Sequence, residues 1–80
     1  MRVIEALRYI HAEWVIFGNM DEDDCRKVFT KPMKMKNIPW ERLRRMEWKW
    51  VSSINFNKKN GIFIIRYSAK RPIYERGYEK

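Results

Sequence analysis

Eighty residues make a single domain, and a chain this short buries only about 60% of the surface its unfolded form exposes. With 45% hydrophobic and 15% aromatic residues, and only three Gly and three Pro, the composition excludes a disordered or low-complexity chain. Lys and Arg total 18 against 10 Asp and Glu, a formal charge of +8 that directs attention to anionic partners.

The first segment reads as a helix over about residues 2–12. Val3, Leu7 and Ile10 form one apolar stripe, which Trp14 and Phe17 would extend, while Arg2, Glu5 and Arg8 fall mostly outside it. Trp14-Val15-Ile16-Phe17 is also β-prone and ends at the turn signal Gly18-Asn19, so the helix is expected to stop near Ala12 and give way to a strand. Residues 25–30, with Val28 and Phe29, are the expected antiparallel partner of that strand. The acidic run at residues 21–24 has a metal-binding reading and two simpler ones, a solvated loop tip or an acidic first helical turn. Four consecutive carboxylates point in different directions, which favours the simpler readings.

Residues 31–37 alternate Lys with Met behind Pro32 and suit an extended edge or connector, or a stretch that touches phosphates. Pro39 suits the first position of a second helix over about residues 39–47, with Trp40, Leu43 and Met46 on one face. From Trp48 the period becomes two, and Asn60-Gly61 signals a hairpin joining strands at about residues 48–57 and 62–69. A two-residue turn would pair Phe56 with Ile65, Ile54 with Tyr67 and Ser52 with Ala69. It would place Trp48, Trp50, Ile54 and Phe56 on the apolar face, and Lys49, Asn55, Arg66 and Lys70 together on the polar one. The tail, residues 71–80, is expected to be an edge strand or an ordered arm, since Tyr74 and Tyr78 favour partial burial. The whole reads as one α+β domain over residues 1–80, with an antiparallel sheet and helices on one face.

Chemistry-bearing motifs are scarce. His11 is the one histidine and Cys25 the one cysteine, so no disulfide forms within the chain. There is no P-loop, no glycine-rich dinucleotide turn, no nucleophile elbow and no metal-ligand spacing. Cys25 follows four acids, which disfavour a thiolate. No enzymatic activity, cofactor or metal is expected, and both His11 and Cys25 should be dispensable. Apolar runs no longer than Trp14-Val15-Ile16-Phe17, and the charges among the first residues, point to a soluble cytoplasmic protein that neither spans nor binds a membrane.

The charge is uneven. Residues 1–40 carry seven Lys/Arg and six Asp/Glu, net +1, whereas residues 41–80 carry eleven and four, net +7. Arg42, Arg44, Arg45, Lys49, Asn55, Lys58, Lys59, Arg66, Lys70 and Arg71 are therefore the candidate contacts for nucleic acid or another anion, centred on the polar face of the hairpin. A solvated face that only keeps the protein soluble is the simpler alternative. Trp40, Trp48 and Trp50 are expected in the core. Their other use would be stacking against unpaired bases. The reading favoured is a small basic nucleic-acid-binding or regulatory protein. Size, aromatics and five methionines also suit an inhibitor or adaptor that occupies a protein partner, of the kind viruses and mobile elements encode. A third reading is a homo-oligomer that captures an anionic nucleotide-like ligand between subunits. A homodimer is expected because a thin core leaves apolar surface to cover.

Overall fold

The computed structural model describes residues 1–24 and 26–71. The expectations for Cys25 and for the tail beyond Arg71 lie outside the described residues. In chain order the elements are helix α1 (Val3–Tyr9), strands β1 (Trp14–Asn19) and β2 (Met33–Lys34), a 3-10 turn (Met35–Asn37), helix α2 (Trp40–Met46), and strands β3 (Trp50–Asn57) and β4 (Ile62–Ser68). The α+β class and the two short helices agree with the sequence reading.

Both helices are shorter than expected, at seven residues each. At the start of α1 the Glu5 carboxylate accepts the backbone N–H of Arg2, which satisfies one early donor. The helix ends at Tyr9 because Ile10 turns extended (φ −85°, ψ 122°) while its N–H still bonds the Ala6 carbonyl. The β-prone run from Trp14 then forms β1, as expected. Its loop partner is only a bridge, Gly18 opposite Phe29, supported by bonds from Asn19 N–H to the Val28 carbonyl and from Thr30 N–H to the Phe17 carbonyl.

The sheet order is β2-β1-β4-β3. It is mixed, not antiparallel: β1 runs parallel to β4, while the β1–β2 and β3–β4 pairs are antiparallel. The cause lies in two runs apolar on both faces. Trp14-Val15-Ile16-Phe17 pairs residue for residue with Ile62-Phe63-Ile64-Ile65, and doubly apolar strands belong at the centre of a sheet.

The hairpin register also differs from the expected one. Asn57 pairs with Ile62 across a four-residue loop, residues 58–61, so Phe56 faces Phe63 and Ile54 faces Ile65. Only Gly61 has positive φ among the described residues (+65°), so a type I′ turn, which needs two such residues, is absent. The loop closes instead through Asn57, whose side-chain oxygen accepts the Lys59 N–H and whose carbonyl accepts the Gly61 N–H. A bulge between Val51 and Ser53 then reverses the faces, so Val51 pairs with Tyr67 and Trp50 with Ser68. Trp50 is thus on the side opposite Ile54 and Phe56, and Val51 takes its place in the core. Gly61→Ala should cost about 1 kcal/mol by forcing a side chain into the left-handed region, although nothing crowds the added carbon. Thermal melting checks it, and an unchanged midpoint contradicts it.

One sheet face carries the core. Val15, Phe17, Ile65 and Val51 meet Val3 and Ala6 of α1 and Met46 of α2 there. The chain start clamps this layer to the sheet: Arg2 bridges Trp50, the Val51 N–H bonds the Met1 carbonyl, and the Val3 N–H bonds the Lys49 carbonyl. The helices stop short of the hairpin tip, where Ile54 and Phe56 remain 38% and 49% exposed. The other sheet face has no helix over it among the described residues.

Candidate nucleic-acid interface

Strand alternation decides what the open face presents. Trp14, Ile16 and Gly18 of β1 line up with Ile62, Ile64 and Arg66 of β4, and Asn57, Asn55, Ser53 and Trp50 of β3 continue the rows. Lys34 of β2 pairs with Trp14 and places its ammonium 5.6 Å from the centre of that ring. Phe29 lies over Gly18 from the loop, and the Arg66 guanidinium stands 5.4 Å from its ring centre. Trp50 has two guanidinium groups beside it, Arg2 at 4.2 Å and Arg71 at 4.9 Å. Each aromatic of this face therefore has a cation within the roughly 6 Å range of cation–π attraction.

Arg66 is held from a second side as well, since its Nη1 donates to the Asn55 side-chain oxygen at 2.6 Å. Arg2 also donates to the Trp48 carbonyl. The strands of the face carry no Asp or Glu. A loop carboxylate, Asp21, caps the end of β4. It accepts the Ser68 hydroxyl at 2.6 Å and the Ala69 N–H at 2.7 Å, and these bonds, with Lys49 and Lys70 nearby, hold its carboxyl below the usual 3.8. The acidic run thus has a structural use, and no cluster of three metal-ligating side chains occurs among the described residues.

A group with a lowered folded pKa adds stability that is fully present above its unfolded value. That stability is lost as pH falls through the folded value. Asp21→Ala should therefore lower the melting temperature at neutral pH, and the gap to the parent should close as pH drops below 3.8. A gap that stays constant to pH 2 would show that the charge plays no part.

The ten residues singled out from the sequence do not form one patch. Asn55 and Arg66 meet on the open face as expected, and Arg71 reaches it through Trp50. Lys49 does not. The bulge turns it to the helix side, where its ammonium sits 5.5 Å from the centre of the half-buried Tyr67 ring. Burial raises the Tyr67 phenol above its ordinary value, with Arg42 opposing and Asp21 adding to the shift. Lys70 is exposed beyond β4, its backbone N–H on the Ser68 hydroxyl. Lys58 and Lys59 are exposed at the hairpin tip, and Arg42, Arg44 and Arg45 are exposed on α2, across the sheet from Arg66.

Trp40 and Trp48 are 65% and 64% exposed, and Trp50 is half-buried, so none of the three is in the core. Met46 is the α2 residue that reaches the core. Sequence reasoning missed Arg2, Trp14, Phe29 and Lys34. The signal for Trp14 was its alternation with the core residues Val15 and Phe17. Arg2 gave none, because its contact with Trp50 joins the chain start to a strand far along the sequence.

No protein-family model, curated protein or solved structure matches the chain. No helix among the described residues is long and apolar enough to cross a membrane.

Proposed function

We propose that this chain is a small basic nucleic-acid-binding protein whose open sheet face contacts the phosphate backbone. One observation carries the reading: Arg2, Lys34, Arg66 and Arg71 stand beside aromatic rings on a face whose strands hold no carboxylate. A polyanion gains there from counterion release, and the net +8 adds long-range attraction. The test is anisotropy of labelled random-sequence RNA and DNA over a series of salt concentrations. The affinity should fall linearly on a log–log plot, and Lys34→Ala and Arg66→Ala should each flatten the slope by about one phosphate contact. Absent or salt-insensitive binding contradicts the proposal.

A protein-directed inhibitor or adaptor is the second reading. It is favoured by the exposure of Trp40 and Trp48 and of Arg42, Arg44 and Arg45, since Trp and Arg dominate interface hot spots. On this reading a partner held at high salt is released by Trp40→Ala, and nucleic-acid affinity is unaffected by that change.

A further inference from the structure

We infer that the open sheet face is a stacking shelf for unpaired bases, with Phe29 and Trp14 as platforms, so that the protein prefers single-stranded nucleic acid to duplex. The inference rests on the nucleic-acid reading above and specifies its ligand.

The main support is the seating of Phe29. Phe29 is 45% exposed, yet its ring packs so closely on β1 that a carbon added at Gly18 would come within 2.7 Å of Cε1 and 2.9 Å of Cδ1. The backbone bridge between Gly18 and Phe29 holds the ring's base in register. An exposed aromatic seated this closely on a sheet is a rigid platform, and rigidity lowers the entropic cost of binding. Arg66, held between Asn55 and the Phe29 ring, is likewise set before any ligand arrives.

Geometry favours a strand that is already unstacked. Trp14 and Gly18 are four residues apart on β1, so Trp14 and Phe29 mark the ends of a stretch of roughly 13 Å. Ile16 and Ile64 lie between them, a half-buried apolar floor with no competing charge. Bases splayed along this stretch can stack on the rings while phosphates pass Arg66 and Lys34. In a duplex the bases already stack on one another, so the rings would gain little and only the cations would act. Gly18 is a positioning residue here: it acts through Phe29, whose ring it allows to pack close against β1.

The experiment measures binding of a single strand of about ten nucleotides, and of its duplex, at one fixed salt concentration. The single strand should bind at least about tenfold more tightly than the duplex. Phe29→Ala should weaken strand binding about tenfold and leave duplex binding nearly unchanged, whereas Phe29→Trp should retain it. Gly18→Ala should weaken it by a smaller factor by lifting the ring, with an unchanged far-ultraviolet spectrum showing that the fold persists. Equal affinity for strand and duplex, with neither altered by Phe29→Ala, overturns the inference and leaves the phosphate contacts intact. Salt-sensitive binding to neither form overturns this inference together with the nucleic-acid reading.

Discussion

Phe17→Ala is expected to destabilise the protein by about 3–5 kcal/mol, the usual cost of emptying a buried aromatic site. Phe17 is fully buried on β1, beside Ile65 of β4 and among the core side chains supplied by both helices. A domain of this length has a total stability of roughly 4–12 kcal/mol, so the loss would remove about a quarter of it or more and would unfold the protein at the lower end of that range. Ile65→Ala should follow at about 2–5 kcal/mol. Ile54→Ala, at the paired position but 38% exposed, should cost about 1 kcal/mol or less, because surrounding solvent replaces the lost methyl contacts. Urea denaturation of the three variants checks the order. Equal losses for Ile54→Ala and Ile65→Ala would mean that the hairpin tip is covered.

The second large effect concerns charge. Reversing Lys34 and Arg66 together to Glu should reduce nucleic-acid affinity at low salt by on the order of a hundredfold, since two counterion-releasing contacts are lost and two repulsive charges introduced. Arg44→Glu with Arg45→Glu makes the same change in net charge on the opposite side of the sheet. That pair should weaken binding only through the general field, by a factor of a few. All four side chains lie outside the core, so each protein should stay folded, with a loss of about 1 kcal/mol at Arg66, whose bond to Asn55 is removed, and about 0.5 kcal/mol or less at each of the others. Equal loss from both pairs would mean that net charge alone drives association and that the sheet face has no special part.

The fold was more legible than the site. The helix stripes, the switch to period two after Trp48 and the β-prone run at Trp14 each express local periodicity, and each element formed where its pattern lies. The parallel β1–β4 pair was hidden because it joins residues far apart in sequence. Its signal, two four-residue runs apolar on both faces, becomes readable only when the runs are compared with each other. The bulge between Val51 and Ser53 has no comparable signature, and it is what turns Lys49 and Trp50 to the opposite faces. Turn chemistry misled for a specific reason. Asn60-Gly61 suits a two-residue turn, but the Asn57 side chain competes for the Lys59 N–H and lengthens the loop. The site inherits these long-range features. Asn55 and Arg66 could be paired from strand alternation, whereas Phe29 over Gly18 and Arg2 beside Trp50 depend on how the loop and the chain start fold back on the sheet.

The four tryptophans offer the most direct measurement. Their indole N–H resonances can be followed separately while a short single-stranded oligonucleotide is added. Trp14 and Trp50 lie on the open sheet face, and Trp40 stands exposed at the start of α2. The Trp14 and Trp50 signals should move in proportion to occupancy while Trp40 stays in place. Movement of Trp40 with Trp14 and Trp50 unchanged would contradict the assignment of the open sheet face as the binding surface.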